Sequence, residues 1–79
     1  MKLELYYKET CPFCQKVLNY MMDNCQIKDV ELVNIKEGNN NEDLIKRGGK
    51  DQVPCLFIDG KPLYESDDII KYFKENFRR

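Results

Sequence analysis

Residues 2–22 read KLELYYKETCPFCQKVLNYMM, and a change of apolar period inside this stretch decides the fold. Lys2 to Tyr7 alternates charged residues with Leu3 and Leu5 and ends in aromatics, the pattern of a strand. After Lys8-Glu9-Thr10, the residues Cys14, Val17, Leu18, Met21, Met22 and Cys25 recur at i, i+3, i+4, i+7, i+8 and i+11, one stripe of an amphipathic helix. Thr10 is the expected cap, and Pro12 suits a first turn, where its missing N–H costs nothing.

The remainder extends this beginning into one α/β pattern. Ile27 to Ile35 is rich in β-branched residues, and its later half reads as a second strand. Its alternation slips at Leu32-Val33, which predicts a strand covered on both faces. The turn-like EGNNNED follows, with Asn41 or a neighbour capping a short helix through Leu44, Ile45 and Arg47 that Gly48-Gly49 ends. Val53 to Ile58 is a third strand, Asp59-Gly60 a hairpin turn and Lys61 to Tyr64 a fourth strand. Ser66 opens a last helix with Ile69, Ile70, Phe73 and Phe77 on one face and Asp67 and Asp68 in the first turn, where the helix dipole favours them. The order is βαβαββα: a four-stranded mixed sheet with three helices, its first two strands parallel across a right-handed crossover.

Seventy-nine residues are read as a single domain, 1–79, because so short a chain cannot sustain two cores. With 42% hydrophobic and 34% charged residues, the chain is neither disordered nor short of core material. A net charge of −1 argues against nucleic acid and against an anionic membrane surface as partners. The N-terminus has no apolar stretch suited to a signal peptide, and no run of about 18 apolar residues occurs, so a cytoplasmic location is expected. The four cysteines, at 11, 14, 25 and 55, are poorly spaced for a secreted disulfide scaffold, since the 11–14 pair closes too short a loop to constrain the unfolded chain much.

That pair is well placed for redox chemistry. Cys11-Pro12-Phe13-Cys14 lies where a strand runs into a helix, and a thiolate at a helix N-terminus is stabilised by unpaired N–H groups and the positive end of the dipole. Cys11 is therefore the candidate attacking sulfur, and Cys14, one turn further in, the candidate resolving thiol. Lys8 either favours the thiolate, meets a substrate carboxylate, or is an ordinary solvated lysine. With no histidine and no second Cys-x-x-Cys, a zinc site is disfavoured and no metal is expected. Val53-Pro54 either starts an edge strand in trans or, in cis, offers the Val53 backbone to an extended peptide. Ser66-Asp67 at the last helix start is either a carboxylate site or a cap alone. Cys25 and Cys55 are read as small core hydrophobes, Cys55 the nearer of the two to the redox pair.

Taken together, Lys8 to Cys14, Val53-Pro54 and Ser66-Asp67-Asp68 resemble the active-site segment, the cis-proline and the glutathione-recognition turn of the glutaredoxin family, in family order and across essentially the whole chain. The resemblance implies a thioredoxin-like fold and a dithiol oxidoreductase that binds no prosthetic group and uses glutathione as co-substrate. It implies that Lys8 meets the glycine carboxylate of glutathione, that Phe13 lines the groove, and that Val53, ahead of Pro54, pairs through its backbone with the cysteinyl unit. Ser66 and Asp67 would hold the γ-glutamyl end. Three positions depart from the family: Phe13 stands for the commoner tyrosine, Gln52 for threonine, and Tyr64-Glu65 for Gly-Gly, the last resembling the Glu-Ser pair of glutathione transferase N-terminal domains. The implied partners are disulfide-containing or glutathionylated proteins, with a monomer expected. Two alternatives stay open: a redoxin that receives electrons from thioredoxin reductase and serves ribonucleotide reductase, and a module in which two chains share an iron–sulfur cluster through Cys11 and glutathione.

Overall fold

The computed structural model describes residues 2–24 and 30–77. Along them run β1 (Leu3–Tyr7), α1 (Pro12–Asp23), β2 (Val30–Asn34), α2 (Asn40–Gly48), β3 (Cys55–Ile58), β4 (Lys61–Tyr64) and α3 (Ser66–Asn76). The sheet order is β2-β1-β3-β4, with β1 parallel to β2 and antiparallel to β3, and β3 antiparallel to β4. This is the expected thioredoxin-like arrangement. Cys25 and Ile27 lie outside the described residues.

Because β-strand side chains alternate between faces, β1 feeds two cores at once. Leu3 and Leu5 join Val17, Leu56, Ile69 and Phe73 on the side covered by α1 and α3. Tyr6 joins Leu44, Cys55 and Phe57 on the side covered by α2. Central β1 is buried on both faces, Glu4 included, whose carboxylate takes both guanidinium nitrogens of Arg47 at 2.9 and 3.2 Å. Arg47 also donates to the Tyr6 hydroxyl and lies over the Phe57 ring, 4.3 Å from its centroid, which fixes α2 to the sheet.

Several local expectations need correction. β2 is an edge strand, not one covered on both faces, and Leu32 is half exposed; the slipped alternation reflects an uncovered edge. The cap of α1 is Cys11, not Thr10, because Pro12 already occupies the first helical position. On the same helix Met22 is exposed, since at about 100° per residue it stands well round from the line through Cys14 and Met21. α2 begins at Asn40 after an Asn39 cap, in the asparagine run where Asn41 or a neighbour is expected. β3 begins at Cys55, because Val53-Pro54 is a cis peptide and does not join the ladder.

Two turns show why their residues are there. Asp59 and Gly60 both have positive φ, 50° and 87°, the geometry of a tight two-residue hairpin. At the end of α2, Gly49 takes the left-handed C-cap, while a β-carbon on Gly48 would collide with the Tyr64 hydroxyl. The glycine pair thus both stops the helix and lets β4 approach it. Among the described residues, no helix is long and apolar enough to cross a membrane.

Candidate active site

The parallel β1–β2 pair delivers the chain from the end of β1 into a short loop and then into α1, so the first residues of α1 stand beyond the C-terminal ends of these two strands. Cys11 is the half-in residue, with extended backbone (φ −91°, ψ 118°), and its N–H bonds the Lys8 carbonyl at 3.2 Å. Gln15 reinforces the bend, its backbone N–H reaching the Cys11 carbonyl and its side-chain amide the Glu9 carbonyl. The loop is held from both ends, so the position of the Cys11 sulfur is set by backbone geometry.

The two thiols at this junction live in opposite environments. Cys11 is partly exposed, whereas Cys14 is fully buried. Partial burial pushes the Cys11 thiol up, but the Cys14 N–H, the Cys14 thiol, the Phe13 N–H and the Lys8 ammonium together outweigh it and hold Cys11 below the ordinary thiol range. For Cys14, burial comes first, and the hydrogen bond and charge of Cys11 add to it; the thiol is pushed up to about 12 although the Lys8 N–H, 3.5 Å from its sulfur, and the Lys8 ammonium oppose this. The two thiols are thus pushed in opposite directions, Cys11 toward its ionised form and Cys14 toward its protonated one.

The cis Val53-Pro54 segment comes up against Cys11 from 42 residues away, close enough for the Cys11 thiol to face the Val53 carbonyl at 3.9 Å. Beside it opens a groove of about 370 Å³ lined by Phe13, Gln52, Val53, Pro54, Glu65, Ser66 and Asp67. Five of the residues singled out in the sequence, Phe13, Val53, Pro54, Ser66 and Asp67, therefore line one cavity. Phe13 is 63% exposed, an apolar ring held out on its rim. Ser66 and Asp67 are the first two helical residues of α3, after a Glu65 cap whose φ is +75°. Ordinary helix starts leave several N–H groups without intrahelical partners, and here that end of the helix borders the groove.

Lys8 stands apart from this groove. It lines two smaller clefts, one with Glu9, Thr10, Asn34 and Lys36, the other with Ile35, Lys36, Asn41 and Asp51. Cys55, expected nearer the redox pair, points into the α2-side core, where burial pushes its thiol up to about 11. Two groove residues that the sequence marks only as departures from the family, Gln52 and Glu65, bond to one another at 2.8 Å across the cavity wall. Their signal was that both stand where the family pattern is broken. Outside the groove lining, Lys16 on α1 carries no motif signal at all and forms an ion pair with Asp67.

Comparison with known proteins places this geometry in context. Residues 5–79 match the family described as glutathione S-transferase, N-terminal domain. Glutaredoxin 3 of Escherichia coli (strain K12) is 33% identical over 67 residues, covering 85% of this chain and 80% of that protein. Glutaredoxin 1 of Rickettsia prowazekii (strain Madrid E) is 30% identical over 73 residues, covering 90% and 76%. Among solved structures, glutathione transferase Omega 3C from Trametes versicolor superposes with a TM-score of 0.81 at 21% identity, covering 98% of this chain and 34% of that one. The isozyme E7 glutathione S-transferase from Drosophila melanogaster gives 0.77 at 26% identity, covering 99% and 36%. The chain thus spans about a third of the transferases and about four-fifths of the glutaredoxins.

Proposed function

We propose, from the premise that this chain belongs to the glutaredoxin family, that it is a glutathione-dependent thiol–disulfide oxidoreductase in which Cys11 is the nucleophile and Cys14 the resolving thiol. The observation that carries this reading is the contrast between a Cys11 thiol held below the ordinary range and a buried Cys14 thiol held above it, at one helix start beside the groove.

The Cys11 thiolate attacks one sulfur of a substrate disulfide; a new S–S bond forms, the old one breaks, and the departing sulfur leaves as a thiolate that takes a proton. Once Cys11 is bonded to sulfur, its negative charge is gone, and with it the repulsion that helps keep Cys14 protonated. Burial still opposes ionisation of Cys14, while the Lys8 N–H and ammonium favour it. Cys14 then loses its proton and attacks Cys11, releasing the substrate reduced and leaving a Cys11–Cys14 disulfide. Glutathione reduces this bond in two steps, and glutathione disulfide carries the electron pair away.

In this reading glutathione lies in the groove with its cysteinyl backbone on Val53, ahead of Pro54, its γ-glutamyl end at Ser66 and Asp67, and Phe13 against its side. Lys8, outside the groove, attracts the glycine carboxylate by its charge. The oxidised substrates are disulfide-containing or glutathionylated proteins, ribonucleotide reductase among the candidates. The whole chain acts as one domain, a monomer of the cytoplasm.

Reduction of the mixed disulfide between glutathione and a small thiol, coupled to glutathione reductase, tests this directly. Turnover with that system is expected; turnover with thioredoxin reductase alone would overturn the glutathione assignment. Cys14→Ser is expected to keep glutathione-dependent reduction of the mixed disulfide, since glutathione itself can resolve it, while losing reduction of protein disulfides that need an internal second thiol.

A further inference from the structure

Asp67 is occupied in a way that its proposed task leaves unexplained. Its carboxylate, 81% exposed at the groove edge, is paired with the Lys16 ammonium, which reaches across from α1 and is itself 53% exposed. The other carboxylate on the groove, Glu65, has a neutral partner in Gln52. A lone carboxylate would suffice to bind an ammonium group. A carboxylate and an ammonium side by side form a dipole, and what complements a dipole of this kind is a zwitterion, an amino acid end bearing both charges.

Resting on the glutathione reading above, we infer that Lys16 is a further substrate-binding residue, which receives the α-carboxylate of the γ-glutamyl end while Asp67 holds its ammonium. The four charges then alternate in sign, and no charge is left uncompensated when substrate enters. The unpaired N–H groups at the start of α3 act on the same carboxylate from the other side. Both side chains are solvated before binding, so exchanging the Lys16–Asp67 pair for two substrate pairs carries little desolvation penalty. Lys16 thereby makes the site selective for a free α-amino acid end over a plain amine.

The test compares Lys16→Gln with the wild type on glutathione and on two analogues of equal net charge. One has the glycine carboxylate converted to an amide, and the other lacks the γ-glutamyl α-carboxylate. For glutathione and the glycine amide, Lys16→Gln should raise KM about three- to fivefold at low salt with kcat little changed, the scale of an exposed charge pair. Lys16→Arg should restore most of it. For the analogue without the α-carboxylate, the substitution should have no effect. An equal penalty on all three would assign Lys16 to holding Asp67 and overturn the inference, as would no penalty on any. A wild type that fails to use glutathione is a different outcome, which removes the underlying reading.

Discussion

Cys11→Ser is expected to abolish turnover of glutathione mixed disulfides and of protein disulfides alike, a loss on the order of a thousandfold or more. The geometry explains why neither of the other two cysteines among the described residues can substitute. Cys14 is fully buried and held as a thiol, and Cys55 faces the opposite core, behind the sheet. A serine hydroxyl at position 11 would meet the same N–H groups, but they cannot bring an alcohol into its ionised range at neutral pH. The variant should fold normally, because Cys11 is only partly buried and its backbone, not its side chain, makes the bend into α1. The check is the coupled glutathione reductase assay beside circular dichroism of the same sample. Retention of more than a few per cent of turnover would mean that the nucleophile lies elsewhere.

Arg47→Ala is expected to cause the largest loss of stability, about 3 kcal/mol, the lower end of the range for stripping one partner from a buried ion pair, because Arg47 itself is about one-third exposed. The carboxylate left behind belongs to Glu4, whose side chain is only 9% exposed in the middle of β1. For a domain of this size that loss lowers Tm by more than about ten degrees. The pH dependence has a definite sign. The hydrogen bonds from Arg47, opposed by burial and aided by the Arg47 and Lys2 charges, hold the Glu4 carboxyl below its ordinary value. The stabilisation from this pair is therefore full above the unfolded carboxylate value, about 4.3, and is lost as pH falls below it through the folded value. Without Arg47, burial is opposed only by the Lys2 charge, so the variant should lose less on acidification and the gap between the two proteins should narrow. Thermal melts at neutral pH and near pH 3 check this; a gap that is constant with pH would place the effect of Arg47 in its packing on Phe57 rather than in its charge.

The same pair shows where sequence reasoning succeeds and where it stops. The strand at Leu3 to Tyr7 and the helix after Pro12 were legible because each carries its own apolar period, and the periods report local geometry. In that alternation Glu4 is simply a charged residue between Leu3 and Leu5. Its burial depends on Arg47, 43 residues further on, and no local pattern reports such a partner. β2 was misread for a related reason: the apolar pair Leu32-Val33 looks like a buried strand, yet sheet order leaves it at the edge. In the site, Cys11 and Cys14 were legible from spacing and context, and Val53-Pro54 only as a choice between cis and trans. Gln52 and Glu65 became groove residues once the cis-proline loop and the start of α3 met. Lys16, lying on the helix that also carries the thiols, shows its relation to Asp67 only in three dimensions.

The proposal that Cys11 is an activated nucleophile is tested most directly by its rate of alkylation with iodoacetamide as a function of pH, followed residue by residue by mass spectrometry on the reduced protein. The expected midpoint for Cys11 lies below that of free cysteine, about 8.5, and at neutral pH Cys11 reacts far faster than Cys14 or Cys55. A midpoint at or above the free-cysteine value, with Cys11 reacting no faster than the buried thiols, would contradict it.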